Sequence, residues 1–250
     1  MEQNIKKNTW AAPLIIGISI IISCFALALG LAHFRSQNEH SISATGSASV
    51  DFESDLIIWR GSFSAKAYTS KEAYRQIEQD ADRVYEYLTD NDIDDEEIVF
   101  SSVDITQNYK DNYDMNGNYI GSEPDGYTLT QSVTVSSSKI DTVELISRDI
   151  SSLLNTGVEF TSNSPEYYFS GLDELKLDLI DKASKNAKDR IDIIAANTGA
   201  NVGKLKNSSL GVFQITAKNS GTNSYSYDGA FDISSRFKTA SITVRLEYDL

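Results

Sequence analysis

The spacing of apolar residues changes several times along this chain of 250 residues. An uncharged apolar run occupies residues 13–34. From residue 42 onwards, some segments place apolar residues at every second position and others at every third or fourth position. A spacing of two predicts a β-strand with one buried face, whereas a spacing of three and four predicts an amphipathic α-helix. The pattern therefore predicts a fold of mixed strands and helices behind an apolar N-terminal segment.

The first part of the mixed region predicts two strands followed by a helix. Residues 42–50 and 56–68 place β-branched and aromatic residues at a spacing close to two, with a turn expected at 52–55. Thr69 and Glu72 then form the capping-box pattern that begins many helices. Residues at helical spacing carry this predicted helix to about residue 88: Ala73, Ile77, Ala81, Val84 and Leu88.

The middle of the chain predicts two further strands and a second helix. Residues 98–109 and 127–135 are typical of strands joined by a polar hairpin. Ser138 stands at the cap position of the second helix, and Gly157 is expected to stop it. Residues 158–169 then return to extended structure, which Pro165 interrupts.

The C-terminal part predicts the longest helix and the last two strands. Residues 172–197 form a helical stripe, and the small residues at its centre would let the helix lie close to a sheet. Residues 205–216 and 238–248 predict strands on either side of a polar loop at 219–228. The order of elements shows no repeated parallel crossover. It predicts an α+β fold with a largely antiparallel sheet packed by helices on one face, preceded by one N-terminal transmembrane helix.

The N-terminal run is long enough to cross a lipid bilayer. Its 22 residues carry no charge, and a helix of about 20 apolar residues spans the hydrocarbon core. Lys6 and Lys7 precede the run and outweigh Arg35 behind it, so the positive-inside rule places residues 1–9 in the cytoplasm. We therefore predict a signal anchor at 10–34, a linker at 35–41 and one extracytoplasmic domain, periplasmic or at the cell surface, at 42–250.

Two other interpretations of the run stay open. The sequence Ala26-Leu27-Ala28 resembles a small-x-small cleavage site, which would make the run a cleaved signal peptide. The residues before Cys24 loosely resemble a lipobox, which would make the protein a lipoprotein. All three interpretations export the domain that follows.

Composition narrows the possible functions. Thirty-six acidic and 22 basic residues give a formal net charge of −14, which disfavours binding to nucleic acid. The one cysteine, Cys24, lies in the apolar run, so the exported part has no thiol nucleophile. Of the two histidines, His33 lies at the end of the same run and His40 follows it, which excludes a Ser-His-Asp triad and a histidine zinc site in the domain. No cofactor is indicated, and we expect a protein that is not an enzyme.

One segment invites a metal-binding hypothesis. Oxygen-bearing side chains between residues 112 and 123 have the spacing of an EF-hand calcium loop: Asn112, Asp114, Asn116 and Glu123. The flanking segments predict strands, however, and not the two helices that normally aim these ligands. The pair Asn116-Gly117 is itself a strong hairpin signal. We interpret the segment as a turn, with a weak calcium site as the alternative.

Three stretches of the chain resemble the SIMPL domain, a family that is similar to bacterial periplasmic immunogenic envelope proteins. Ile42-Ser-Ala-Thr-Gly46 resembles its opening strand and glycine, and residues 88–101 are similar to its passage from helix to strand. The alanines at 183, 187 and 195, followed by Gly199 and Val202-Gly-Lys-Leu205, resemble its alanine-spaced helix and the strand after it. The likeness extends over residues 42–250, although Ile191 replaces a usual alanine.

The resemblance implies an exported domain without established catalytic residues, a tendency to self-assemble into large rings, and an association with envelope stress. We therefore expect a membrane-anchored, non-enzymatic envelope protein that forms a homo-oligomer or binds another envelope protein. Two alternatives remain. One is a calcium-responsive surface binding module, and the other is a hydrolase of unfamiliar type, since a sequence does not reveal which carboxylates lie close together in space.

Overall fold

The computed structural model describes residues 11–36, 41–221, 226 and 228–250. The predicted cytoplasmic segment 1–9 with Lys6 and Lys7, most of the predicted linker at 35–41 and part of the predicted loop at 219–228 lie outside the described residues.

Four helices and ten strands follow one another along the described part of the chain. The helices are α1 (Ala11–Ser36), α2 (Ser70–Asp90), α3 (Ile140–Asp149) and α4 (Leu172–Thr198), with two 3-10 helices at Asp95–Glu97 and Ile150–Thr156. The strands are β1 (Ser41–Glu53), β2 (Leu56–Ala67), β3 (Ile98–Phe100), β4 (Asp104–Tyr113), β5 (Tyr119–Ser137), β6 (Glu159–Ser162), β7 (Glu166–Tyr168), β8 (Leu205–Leu210), β9 (Gln214–Ala217) and β10 (Phe237–Asp249).

Helix α1 contains the whole apolar N-terminal run at 13–34. Its side chains at 16–31 are all exposed. Among the described residues, no helix combines the length and the apolar character that a membrane crossing requires. The transmembrane anchor at 10–34 therefore stays a prediction.

Two compact units make up the described residues. One comprises the described residues up to Ser47 together with Lys182–Gly211 and Thr243–Leu250. The other comprises Ala48–Asp181 and Val212–Ile242. The single domain at 42–250 stays a prediction.

The strands form two sheets instead of the single sheet that the sequence predicts. The six-stranded sheet has the order β3-β5-β2-β6, with β4 also pairing with β5 and β7 with β2. In the four-stranded sheet, β10 lies between β1 and β8 and also pairs with β9. Both edges of β2, β5 and β10 are thus occupied within their own sheets. The prediction of an α+β fold with antiparallel strand pairing is confirmed.

The core of the larger unit lies between the six-stranded sheet and helices α2 and α3. Sheet residues such as Trp59, Phe63 and Val133 are almost fully buried, as are Ile77 of α2 and Val143 of α3. The predicted cap of α2 is confirmed, because Thr69 Oγ1 accepts a hydrogen bond from the backbone N of Glu72 at 3.2 Å.

Several predicted boundaries are wrong. Ser138 is not the cap of α3: the cap position belongs to Lys139, whose N–H donates to Ser137 Oγ at 3.0 Å. The predicted strand at 205–216 divides into β8 and β9 beside Gly211, where a Cβ would stand 2.2 Å from Thr243 Oγ1. The segment between the predicted strands 98–109 and 127–135 is mostly strand, because β4 and β5 continue to pair there.

Helix α4 has the buried stripe that its sequence predicts, with one change. Leu179, Ala183, Ala187 and Ile191 are fully buried. At the C-terminal end the buried residue is Ala195, whereas Ile194, which the spacing had placed in the stripe, is 44% exposed.

Candidate functional site

The hairpin of β4 and β5 extends past the other strands of its sheet. Strand β2 pairs with β5 only between Tyr127 and Ser137. At residues 108–126, β4 and β5 pair with each other and, within the described chain, with no other strand. We term residues 108–126 the hairpin arm.

Aromatic residues line one face of the arm. Tyr109 lies opposite Pro124 and Tyr113 lies opposite Tyr119, while Ile105 at the base lies opposite the buried Leu129. Because side chains alternate between the two faces of a strand, these residues share the face of the sheet on which Leu129 is buried. Helix α2 does not cover them, since Ile105, Tyr109, Tyr113 and Tyr119 are each about 60% exposed.

Two of these rings contact each other near the tip of the arm. The ring centroids of Tyr113 and Tyr119 are 6.0 Å apart and their planes are inclined by 69°. Asp111 shares the strand face of Tyr109 and Tyr113 because it lies two residues from each of them. The face therefore combines exposed aromatic rings with a carboxylate.

Further charges on the arm are mostly negative. Asp114, Glu123 and Asp125 add to Asp111, and Lys110 is the one basic residue between positions 108 and 126. Asp125 approaches Lys66 of β2 at 3.5 Å, and both side chains stay largely exposed. The arm is thus an acidic and aromatic surface.

The four calcium candidates lie on this arm. Asp114 accepts hydrogen bonds from the backbone N of Asn116 at 2.8 Å, from the backbone N of Asn118 at 2.8 Å and from Asn118 Nδ2 at 3.0 Å. The backbone hydrogen bond from Asn118, followed by its side-chain bond, lowers the pKa of Asp114. This is the geometry of a tight turn, with Gly117 at a φ of 82°.

The other three calcium candidates lie at paired positions of β4 and β5 or in the turn between these strands. Asn112 lies opposite Gly121, Glu123 lies opposite Lys110, and Asn116 is in the turn. Both flanks are strands, as the sequence predicts. The described part of the chain contains no group of three or more His, Cys, Asp or Glu side chains able to hold a metal ion. Calcium binding stays a prediction.

A second cluster of charged groups surrounds Arg236 in the same unit. Its guanidinium lies 2.7 Å from Glu53 Oε1 and 3.7 Å from Glu144 Oε1, and it donates to Asp141. The bond to Asp141 and then the bond to Glu53 raise the pKa of Arg236. The cluster borders an open cleft of about 490 Å³ that includes Lys139. Because carboxylates of the protein already occupy the guanidinium, we assign the cluster a structural role.

Lys238, which is buried, and Tyr167, which is partly buried, lie close to this cluster. Lys238 is 2% exposed, and its Nζ donates to the carbonyl O of Tyr167. Burial lowers the pKa of Lys238. The Tyr167 hydroxyl donates to Glu144 Oε1 at 2.9 Å, and burial followed by this bond raises the pKa of Tyr167 to about 12. These two hydrogen bonds connect β7 to β10 and to α3.

A model of the SIMPL family, described as a protein of unknown function (DUF541), matches residues 42–248. The chain belongs to the SIMPL family. The match confirms the resemblance that the opening glycine strand and the alanine-spaced helix indicate. No curated protein matches the chain. Because the SIMPL family has no known function, its functional surface has to be inferred from geometry.

Sequence reasoning missed the exposed face of the arm. Tyr109 ends a predicted strand, and Tyr113 and Tyr119 fall in the predicted hairpin, so their alternation with polar residues gave no sign of an uncovered face. The available signal was the spacing of four between the large apolar or aromatic residues Ile105, Tyr109 and Tyr113, which places all three on one side of an extended strand.

Proposed function

We propose that this SIMPL protein is anchored in a membrane by α1 and acts in the cell envelope, outside the cytoplasm, without catalysing a reaction. It would act by self-assembly or by binding another protein, and a link to envelope stress fits this role. The observation that carries the proposal is the uncovered aromatic face of the hairpin arm.

The arm has the properties of a binding surface. A two-stranded hairpin is marginally stable alone in water, so its exposed half gains from a partner. Exposed apolar residues that lie together mark interaction sites more often than singly scattered ones do. Tyr109, Tyr113 and Tyr119 are such a group, and Met115 at the tip is fully exposed.

The membrane anchor is supported by the character of α1. The helix has 26 residues, which at about 1.5 Å per residue gives a length of about 39 Å, longer than the hydrocarbon core of a bilayer. Its described side chains at 16–31 are uncharged and exposed. A helix without a polar face lies in the core of a large protein or in a membrane, and the uncharged run at 13–34 of the sequence favours the membrane.

The absence of catalysis is supported by the state of the buried polar groups. Among the described residues, Ser54 Oγ is buried and has no hydrogen-bond partner, while Lys238 is engaged by the Tyr167 carbonyl. These two groups therefore do not form a pair of nucleophile and base. Of the two histidines of the sequence, His33 lies in the N-terminal run and His40 follows it.

Cysteine labelling tests the topology. In a Cys24→Ser background, Ser47→Cys places a thiol at an exposed position of β1, and Asn4→Cys places one before the apolar run. A membrane-impermeant maleimide should label Ser47→Cys in intact protoplasts and Asn4→Cys only after lysis. The reverse pattern would place the domain in the cytoplasm and contradict the proposal.

Light scattering tests the assembly. The mass of the full chain in detergent, corrected for bound detergent, should exceed that of one chain and should rise with protein concentration if the protein self-assembles. A monomer at all concentrations would leave binding of another protein as the mode of action.

A further inference from the structure

We infer that the hairpin arm binds a basic, extended segment of a partner protein, which adds as a strand along the free edge of β4. The inference rests on the proposed protein-binding function and names the chemistry of the partner.

One edge of β4 has no neighbouring strand in the described part of the chain. Within the described residues, β4 pairs only with β5, so the backbone groups along its other edge have no strand partner. Both irregularities of the hairpin add their extra residue to β5: between the pairs Gln107–Tyr127 and Tyr109–Pro124, and again near the tip. The backbone of β4 is therefore continuous over Asp104–Tyr113. A long, regular edge is a template for another strand.

The side chains on this edge set the chemistry of the added strand. A strand beside β4 would place every second side chain next to Ile105, Tyr109, Asp111 and Tyr113. Faces of tyrosine rings attract ammonium and guanidinium groups. Asp111 between the two rings would form a charge-assisted hydrogen bond with the same groups. Lysine or arginine at alternate positions fits this pattern.

Charge complementarity distinguishes such a partner from a second copy of the chain. Asp111, Asp114, Glu123 and Asp125 outnumber Lys110 on the arm, and the whole chain has a formal net charge of −14. A second copy would bring the same acidic surface, and like charges that face each other across strands destabilise pairing. A basic segment removes this repulsion.

Fluorescence anisotropy with synthetic peptides tests the inference on the full chain in a neutral detergent. The probe is a labelled peptide of alternating lysine and threonine, about ten residues long to match β4. A peptide of alternating glutamate and threonine is the charge control. A lysine-threonine peptide with N-methyl groups on alternate amides is the control for strand pairing. Only the unmodified basic peptide should bind, and added salt should weaken its binding.

Matched variants locate the site. Combining Tyr109→Ala with Tyr113→Ala should weaken binding of the basic peptide by about tenfold, and Asp111→Asn should weaken it by about threefold. Tyr85→Ala and Asp82→Asn change an exposed tyrosine and an exposed aspartate of α2, and they should leave binding unchanged. Circular dichroism of each variant confirms that the fold is retained.

Several results would overturn the inference. If the acidic or the N-methylated peptide binds as tightly as the basic one, the partner is not a basic strand. If the α2 variants lose as much peptide binding as the arm variants, the binding site is not on the arm. An absence of binding at millimolar concentrations of the basic peptide would also overturn the inference. If light scattering shows that the wild type self-assembles and that Tyr109→Ala with Tyr113→Ala abolishes assembly, the occupant is a second copy. If the wild type self-assembles, this variant still assembles, and the basic peptide does not bind the wild type, the inference is rejected and the proposed function stays intact.

Discussion

Gly46 of β1 lies against the backbone of Ala187 in α4, and a Cβ at position 46 would stand 2.3 Å from the Ala187 nitrogen. The same Cβ would stand 2.2 Å from the carbonyl O of Ala183. The strand and the helix approach this closely because position 46 has no side chain and the helix presents only methyl groups. Arg190 of the same helix donates to the Thr45 carbonyl at 2.9 Å.

We predict that Gly46→Ala destabilises the protein by about 3 kcal/mol, because even a methyl group overlaps main-chain atoms that cannot move aside. Urea denaturation of the full chain measures the change. Gly221→Ala is the matched control, since a Cβ there has no neighbour within 4 Å among the residues that the structure describes. Equal losses for both variants would contradict the role of the close approach.

A relay of hydrogen bonds holds Trp59 inside the larger unit. Trp59 Nε1 donates to Ser162 Oγ at 3.0 Å, and this hydroxyl donates to the Ser147 carbonyl at 2.7 Å. Ser162→Ala leaves the buried indole N–H without its partner and should cost about 2 kcal/mol. Thermal unfolding measures the cost. Ser164→Ala, at an exposed position, should unfold at the wild-type temperature.

Arg236 links β1 to α3 through Glu53 and Asp141. Arg236→Met should destabilise the protein by about 1 kcal/mol, because Glu53 and Asp141 are exposed enough for water to screen much of the lost ion pairing. A double-mutant cycle with Asp141→Asn should give a coupling of about 1 kcal/mol. Arg148→Met removes an exposed arginine 4.0 Å from Glu144 and serves as the control. A coupling of zero would mean that the ion pair contributes nothing.

The raised pKa of Tyr167 predicts a loss of stability in alkali. The pKa rises from 10.0 to about 12 on folding, so below pH 10 both states are protonated and the contribution is fully present. Between pH 10 and about 12, the unfolded chain loses the proton while the folded chain keeps it, and unfolding becomes more favourable. Tyr167→Phe should flatten this part of the curve of unfolding free energy against pH, whereas Tyr74→Phe should not. An unchanged slope in Tyr167→Phe would rule out this linkage.

The hydrogen bonds of the turn at the tip of the arm predict that calcium does not bind there measurably. The Asp114 carboxylate already accepts three N–H groups of the turn, so calorimetry with millimolar calcium should detect no binding heat. Asp114→Ala should speed amide exchange at Asn116 and Asn118 and change the global stability by less than about 0.5 kcal/mol. Binding heat in the wild type that Asp114→Ala abolishes would establish the calcium site instead.

Local patterns predicted most helices and strands. The capping pair Thr69 and Glu72 lies three residues apart, and Gly157, which ends the 3-10 helix Ile150–Thr156 after α3, needs only its own φ of 88°. Such signals depend on residues a few positions apart, so they can be recognised in the sequence without knowledge of the fold. The cap of α3 was missed because Ser137, Ser138 and Lys139 all stand near the start, and backbone geometry selects among them.

The candidate site was predicted only in part. The turn at Asp114 follows from the residues Asn116-Gly117, and its hairpin flanks follow from the alternation beside it. The length of the arm does not, because it depends on where β2 ends its pairing with β5, at Tyr127. That pairing joins residues about 60 positions apart in the chain.

The sequence by itself determined the family, the apolar run, the net charge and the residues that form helices or strands, since each depends on composition or on neighbours within a few positions. Tertiary structure decided the division into two sheets, the burial of Lys238 and the exposure of Tyr109 and Tyr113. A tyrosine at strand spacing suits a buried or an open face equally well. Whether another element covers it is decided by the packing of segments that lie far apart in the chain.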